Sequence, residues 1–399
     1  MKHQLPAARL AACILFLTGC GKTTPSSPVT PLPPAASSAA ASSPASSEVP
    51  PAVQLPQPEA DPIAALLADM TTEEKVGQLF FVRCPAENAL SDVRSYHLGG
   101  YILFGQDTKD KTANDLLQTI RGYQKAAAAD TGIPLLIGVD EEGGTVVRVS
   151  SNPHLRSTKF RSPQAAFEDG GMEEVLRETE ERDALLSALG FNVDLAPVAD
   201  VSTDPADFIY KRTFGQSAEL TADYIRLVVE QMCTDGMGSV LKHFPGYGNN
   251  ADTHTGIALD TRSRESFTES DLLPFAAGLA AGGGQSAVLV SHNIVQCMDG
   301  DLPASLSPAV HAVLREELGF EGVVMTDDLA MEAVSAYAGD GAVAVMALEA
   351  GNDLVLTTDY RTQIPRVLAA VESGELAMET IDNACRRVLE WKMALGLIE

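Results

Sequence analysis

The segment Leu241-Lys-His-Phe-Pro-Gly-Tyr-Gly-Asn-Asn-Ala-Asp-Thr-His254 packs many reactive side chains into fourteen residues. Lys242 and His243 close an apolar run, and Pro245, Gly246 and Gly248 then dictate a constrained turn. The loop beyond carries Asp252 and His254 two residues apart, a spacing that turns both side chains the same way in extended backbone. A carboxylate so placed accepts a hydrogen bond from one imidazole nitrogen, fixes the tautomer and raises the basicity of the other nitrogen. Such a histidine suits general acid/base work. On spacing alone two other readings stay open: a metal-ligand pair, and a turn closed by an aspartate side chain. A metal site would want a third and fourth ligand, and none is identifiable, so no metal or other cofactor is expected.

Two further segments place acids after apolar runs. Gly322-Val-Val-Met-Thr-Asp-Asp-Leu-Ala-Met331 leads straight into Asp327 and Asp328. Neighbouring residues on a strand face opposite ways, so only one of the two carboxylates can enter a central site. A strand-end carboxylate kept ionised can attack a sugar carbon. Aspartate is equally at home as a helix N-cap, and both roles can hold, with Asp327 inward and Asp328 capping. Ile137-Gly-Val-Asp-Glu-Glu-Gly-Gly-Thr-Val-Val-Arg148 ends its run at Asp140 and supplies Arg148. It lacks the Lys-Ser/Thr ending of a phosphate loop and is too acidic to cradle phosphate. It reads as sugar-hydroxyl binding or as a solvated acidic turn. Tyr210-Lys-Arg-Thr-Phe-Gly215 by itself reads as a basic turn.

The elements that must position these residues are visible as eight short apolar runs, at 78–83, 99–104, 134–140, 191–201, 238–244, 286–292, 322–327 and 352–357. Between them lie helical patterns at 113–128, 172–189, 218–235, 269–281, 308–318 and 343–350. Buried runs alternating with helices indicate a parallel sheet. Eight of them indicate an α/β fold of the (β/α)₈ TIM type, preferred over an open doubly wound sheet. Most runs end in polar residues, namely Arg83, Asp140, Asp200, Lys242-His243, His292 and Asp327. In a barrel these strand ends converge on one mouth, where catalysis occurs.

The rest of the chain is tether and address. Of 399 residues 45% are hydrophobic, ample for a large core, and the formal net charge of −26 argues against a nucleic-acid partner. Lys2 and Arg9 precede an apolar stretch that runs into Leu17-Thr18-Gly19-Cys20. This describes a secretory signal over residues 1–19, too short to remain as a membrane span. Its ending resembles the bacterial lipobox, which implies a lipid on Cys20, a membrane anchor and an extracytoplasmic, cell-envelope location. Residues 20–60 are Ser/Ala/Pro-rich and hold ten of the 23 prolines. They are expected to stay unfolded as a tether, with a reach on the order of 100 Å. From 61 to 399 the composition is globular. Cys84, Cys233, Cys297 and Cys385 are scattered without C-x-x-C spacing and read as free thiols, though one bridge is conceivable.

Taken together, the Lys242–His254 segment, the Val324–Met331 segment, the Val139–Arg148 segment and the strand Leu195-Ala-Pro-Val-Ala-Asp-Val201 resemble glycoside hydrolase family 3, in its β-N-acetylglucosaminidase branch. The likeness runs in order over roughly 61–399. It implies a (β/α)₈ barrel with Asp327 as nucleophile and His254 as acid/base, oriented by Asp252. It also implies a terminal sugar held by Asp140, Arg148, Arg212, Lys242 and His243. The implied reaction is retaining removal of terminal β-linked GlcNAc; the tether to a bacterial envelope makes peptidoglycan fragments the expected substrate, and a monomer is expected. The alternatives are an N-acetylglucosaminide phosphorylase and a non-catalytic glycan-binding lipoprotein. Three positions depart from the family pattern: Tyr247 stands where a second His is usual, Glu141 for Gln, and Thr145 often for Arg. The first is expected to alter loop geometry, the other two the rim of the sugar site.

Overall fold

The computed structural model describes residues 61–250, 256, 258–335, 337 and 342–398; Cys20, the expected signal and tether, and the Asp252–His254 pair lie outside the described residues. Eight parallel strands form one sheet: β1 Phe80–Arg83, β2 Gly100–Leu103, β3 Leu136–Val139, β4 Val193–Asp194, β5 Gly238–Phe244, β6 Ser286–Val290, β7 Val324–Thr326 and β8 Val355–Thr357. Their order is 8-1-2-3-4-5-6-7, and a bridge between Met325 and Leu354 brings β7 back to β8, so the ring is nearly closed. This is the TIM-type barrel. Every residue of β2, β3, β5 and β6 is buried, which is why these strands read as largely apolar runs.

The helices follow local signals closely. Ala218–Asp235 starts at the Ser217 cap, whose hydroxyl accepts from the Leu220 N–H, and stops at Gly236 in the left-handed region. Its buried face is Ile225, Val228, Val229 and Met232. Ala113–Ala128 begins in a Thr112/Asp115 capping box. Pro163–Leu189 is broken at Gly170 and Gly171, which is where the apolar pattern begins at 172. The main departure is the run 191–201, where only Val193–Asp194 is strand. Pro197 has no N–H to give a ladder, and the chain beyond β4 is held instead by Val240 N–H to the Ala196 carbonyl and Ala199 N–H to the Lys242 carbonyl. That leaves the 195–201 stretch pressed against the end of β5, where Lys242 and His243 lie.

Inside the barrel, large and small residues interlock. The Phe81 ring fills the space above Gly100 and Gly138; a Cβ on Gly138 would lie 2.5 Å from Phe81 Cζ and 3.0 Å from Leu195 Cδ1. Both residues are fully buried, so neither can swing into solvent. Gly138→Ala is therefore expected to cost about 1–3 kcal/mol by overpacking, read as a lower urea midpoint at unchanged slope. An unchanged midpoint would mean that the ring yields without cost.

Candidate active site

The charged strand ends meet as expected. Lys242, 2% exposed at the end of β5, points its Nζ at Asp140 Oδ1 and Glu142 Oε1, each 2.6 Å away. Glu142 also takes Arg212 in a fork, with Nη2 at 2.7 Å from Oε1 and Nε at 2.9 Å from Oε2. Arg212 Nη2 lies 3.1 Å from His243 Nε2, and His243 Nδ1 lies 2.7 Å from Asp200 Oδ2. A guanidinium only donates, so His243 accepts at Nε2 and carries its proton on Nδ1 toward Asp200. Burial opposes ionisation of Glu142, but Arg212 and Lys242 outweigh it and hold the carboxyl far below the usual carboxylate range. Burial likewise works against the Lys242 charge, and Asp140 and Glu142 reverse that, so its pKa is raised.

Asp327 follows β7 directly, with its N–H donating to the Val290 carbonyl at 3.0 Å. The Asp328 N–H donates to Asp327 Oδ1 at 2.8 Å. Asp328 itself accepts from Ala330 N–H at 3.0 Å, from Thr358 N–H at 3.2 Å and from the Thr358 hydroxyl at 3.0 Å. It thus caps a turn and ties the end of β7 to the end of β8. The expected helix cap is not its role, since the next helix begins only at Glu332. His292, fully buried, supports the same turn through Ser305 Oγ at 2.7 Å and the Asp328 carbonyl at 3.1 Å.

Asp140, Arg148, Arg212, Lys242, His243 and Asp327 all line one cavity of about 450 Å³, within the range of small-molecule sites. Arg148 Nε is buried and makes no hydrogen bond among the described residues. Phe104 forms part of the wall, with the Arg83 guanidinium 4.5 Å and that of Arg148 5.9 Å from its ring centre. Asp252 and His254 fall outside the described residues, but the described chain on either side of them is pinned. On the entry side Asp200 Oδ1 takes the Tyr247 N–H at 2.6 Å. On the exit side Arg262 binds Asp260 at 2.8 Å, Asp271 at 2.9 Å and the Gly246 carbonyl at 3.1 Å. Gly246 (φ 129°) and Gly248 (φ 56°) are obligatory here: a Cβ would sit 2.2 Å from Asp271 Oδ1 or 2.4 Å from Arg262 Cζ.

Four residues were missed or misplaced by sequence reasoning. Glu142 was passed over in favour of Asp140, although the i, i+2 spacing puts both on one side of an extended stretch. Arg83 and Phe208 line the cavity without having been assigned a role there. Glu141 is not on the rim, as its departure from the family pattern had suggested. It is fully buried and accepts the N–H groups of Arg148 and Val149 at 2.7 Å and of Ser150 at 3.0 Å, fixing the backbone that carries Arg148. Among the described residues Cys84, Cys233, Cys297 and Cys385 are free thiols.

A barrel mouth with paired acids and cations on its floor, an aromatic wall and a carboxylate at a strand end is the architecture of a glycoside-processing enzyme. The chain belongs to glycosyl hydrolase family 3: the model described as the family's N terminal domain matches residues 71–391. It is 32% identical over 387 residues to a β-hexosaminidase, LpqI, of Mycobacterium tuberculosis, covering 94% of this chain and 91% of that protein. A solved structure of that LpqI superposes with a TM-score of 0.73 at 30% identity, over 82% of this chain and 95% of the other. A family 3 β-N-acetylglucosaminidase from Paenibacillus superposes with a TM-score of 0.76 at 32% identity, over 82% of this chain, and this chain spans 63% of that longer one.

The floor cluster has a pH signature. The Glu142 pKa is lower in the folded chain than in the unfolded one, so below about pH 4.5 the unfolded state binds more protons. The stability Glu142 contributes is complete above that pH and is lost as pH falls toward its folded-state value. Glu142→Gln is expected to cost about 3–5 kcal/mol at neutral pH, because Arg212 and Lys242 lose their shared anion. The gap to wild type in urea unfolding should shrink on acidification, and a gap independent of pH would show that Glu142 is not the counterion.

Proposed function

We propose that this chain is a retaining exo-β-N-acetylglucosaminidase acting on terminal β-linked GlcNAc. The observation that carries this reading is the position of Asp327 at the end of β7, lining the same cavity as five side chains suited to grip one sugar. In the proposed reaction the Asp327 carboxylate attacks the anomeric carbon as the glycosidic C–O bond breaks. His254, oriented by Asp252, gives its proton to the leaving oxygen. A water deprotonated by His254 then attacks the same carbon, freeing Asp327 and releasing the sugar with its β configuration retained. Asp140, Arg148, Arg212, Lys242 and His243 would hold the terminal ring by its hydroxyls. The relatives named β-hexosaminidase and β-N-acetylglucosaminidase support the substrate class.

The natural substrate in this reading is a peptidoglycan-derived fragment. The enzyme would act as a monomer at the bacterial envelope, held to a membrane by lipid on Cys20 and the 20–60 tether. The lipobox-like Leu17-Thr18-Gly19-Cys20 supports the anchor.

Asp327→Asn should lower kcat on a chromogenic GlcNAc glycoside by about 10³-fold or more with the fold intact. A 2-fluoro sugar should label the wild-type peptide containing Asp327, as seen by mass spectrometry. Undiminished turnover in the variant would overturn the assignment. Acceleration by phosphate with release of sugar 1-phosphate would replace hydrolysis by phosphorolysis. Cys20→Ala should move the protein from the membrane fraction to the soluble one, and unchanged fractionation would remove the anchor.

A further inference from the structure

The cavity is lined by buried charges and by one exposed aromatic ring. At the floor Lys242 and His243 are only 2% and 6% exposed; at the opposite extreme the Phe208 ring, in the wall of the same cavity, is 45% exposed. A lone exposed phenylalanine means little on a protein surface. Among the described residues, though, the other large apolar side chains left this open are Leu90, Leu220 and Leu259, and none of them lines the cavity.

The backbone on both sides of Phe208 is braced. Ser202 Oγ bonds Asp207 Oδ2 at 2.7 Å, and the Ala206 N–H bonds Asp204 Oδ1 at 2.9 Å. The next residue, Ile209, is fully buried, and its carbonyl takes the Arg212 N–H at 2.8 Å. The fork of Arg212 on Glu142 therefore anchors the same short stretch that presents Phe208. Behind the ring stands Tyr247, 3% exposed, with its centroid 5.8 Å away and tilted by 40°; beyond it His243 meets Tyr247 edge-on at 5.7 Å. Ring contacts thus connect buried His243 to exposed Phe208 through Tyr247.

We infer that Phe208 is a specificity residue whose ring face receives the leaving-group sugar, the pyranose next to the one being removed. An enzyme that takes a chain end must put the terminal sugar at the closed, polar end and leave the adjoining ring at the mouth. The faces of a pyranose carry C–H groups, and an aromatic ring mounted on braced backbone offers them apolar area and a negative π-face. The substrate class is thereby a GlcNAc glycoside whose leaving group is itself a sugar, in preference to a small alcohol.

The inference rests on the hydrolase reading, and the test separates the two. Wild type and Phe208→Ala are compared on a β-linked GlcNAc disaccharide and on methyl β-N-acetylglucosaminide. The variant should lose about five- to tenfold in kcat/KM on the disaccharide, mainly through KM, and stay within about twofold on the methyl glycoside. Phe208→Trp should restore the disaccharide value. Equal losses on both substrates, or no loss on either, overturn the role of Phe208 while leaving the hydrolase reading intact. If the wild type cleaves neither substrate, the hydrolase reading fails and this inference fails with it.

Discussion

Lys242 is an ammonium in the floor of a barrel, 2% exposed, and everything around it is arranged to make that tolerable. An isolated charge there would cost several kcal/mol of lost hydration. Two carboxylates at 2.6 Å offset the cost, but that leaves two anions to one cation, and Arg212 supplies the second positive charge through its fork on Glu142. The four groups balance one another across the ends of β3 and β5 and the 202–212 stretch. Each is the counterion of another, so none can move alone without stranding a buried charge. The floor is therefore fixed before any ligand arrives, which is what electrostatic preorganisation requires.

Asp200 carries that rigidity outward. One of its oxygens takes the His243 ring at 2.7 Å and the His243 N–H at 3.2 Å; the other takes the Tyr247 N–H at 2.6 Å. A single carboxylate thus sets both the tautomer of a floor residue and the path by which the chain leaves β5. Arg262 does the corresponding work on the returning side. The described chain on either side of residues 251–255 is thus tied to the barrel by charged side chains. Tyr247, which departs from the family pattern, is a buried residue whose ring packs against those of His243 and Phe208.

How much of this was legible in the sequence follows from what each residue does. Strands buried on both faces must be apolar throughout, so all eight runs were visible, and capped helices such as Ala218–Asp235 matched to the residue. Polar groups that interrupt such runs at their ends stand out, which is why Asp140, Lys242, His243 and Asp327 could be named. Residues that serve other residues left a weaker trace. Glu142 is a counterion and Glu141 a backbone clamp, yet in sequence both are merely part of an acidic run. The irregular path after β4 depends on Pro197 and on hydrogen bonds to β5, a pairing between distant segments that periodicity does not report. Phe208 could not be read at all, because an exposed aromatic in a polar loop has no periodic context.

Asp327 and Asp328 show the same limit at the finest scale. They are adjacent and chemically identical, and the two side chains of a pleated backbone must diverge. Three donors from Ala330 and Thr358 converge on Asp328, making its anion a structural tie between the ends of β7 and β8. That tie, with His292 gripping the Asp328 carbonyl, holds the backbone on which Asp327 is mounted. The second acid thus positions the first: in the proposed reaction the Asp327 carboxylate must meet a carbon atom within a few tenths of an ångström, which needs a fixed peptide on its C-terminal side. In that proposal the Asp-Asp pair is one reactive group and one brace, and exchanging their roles would require slipping β7 by one residue against β6 and β8.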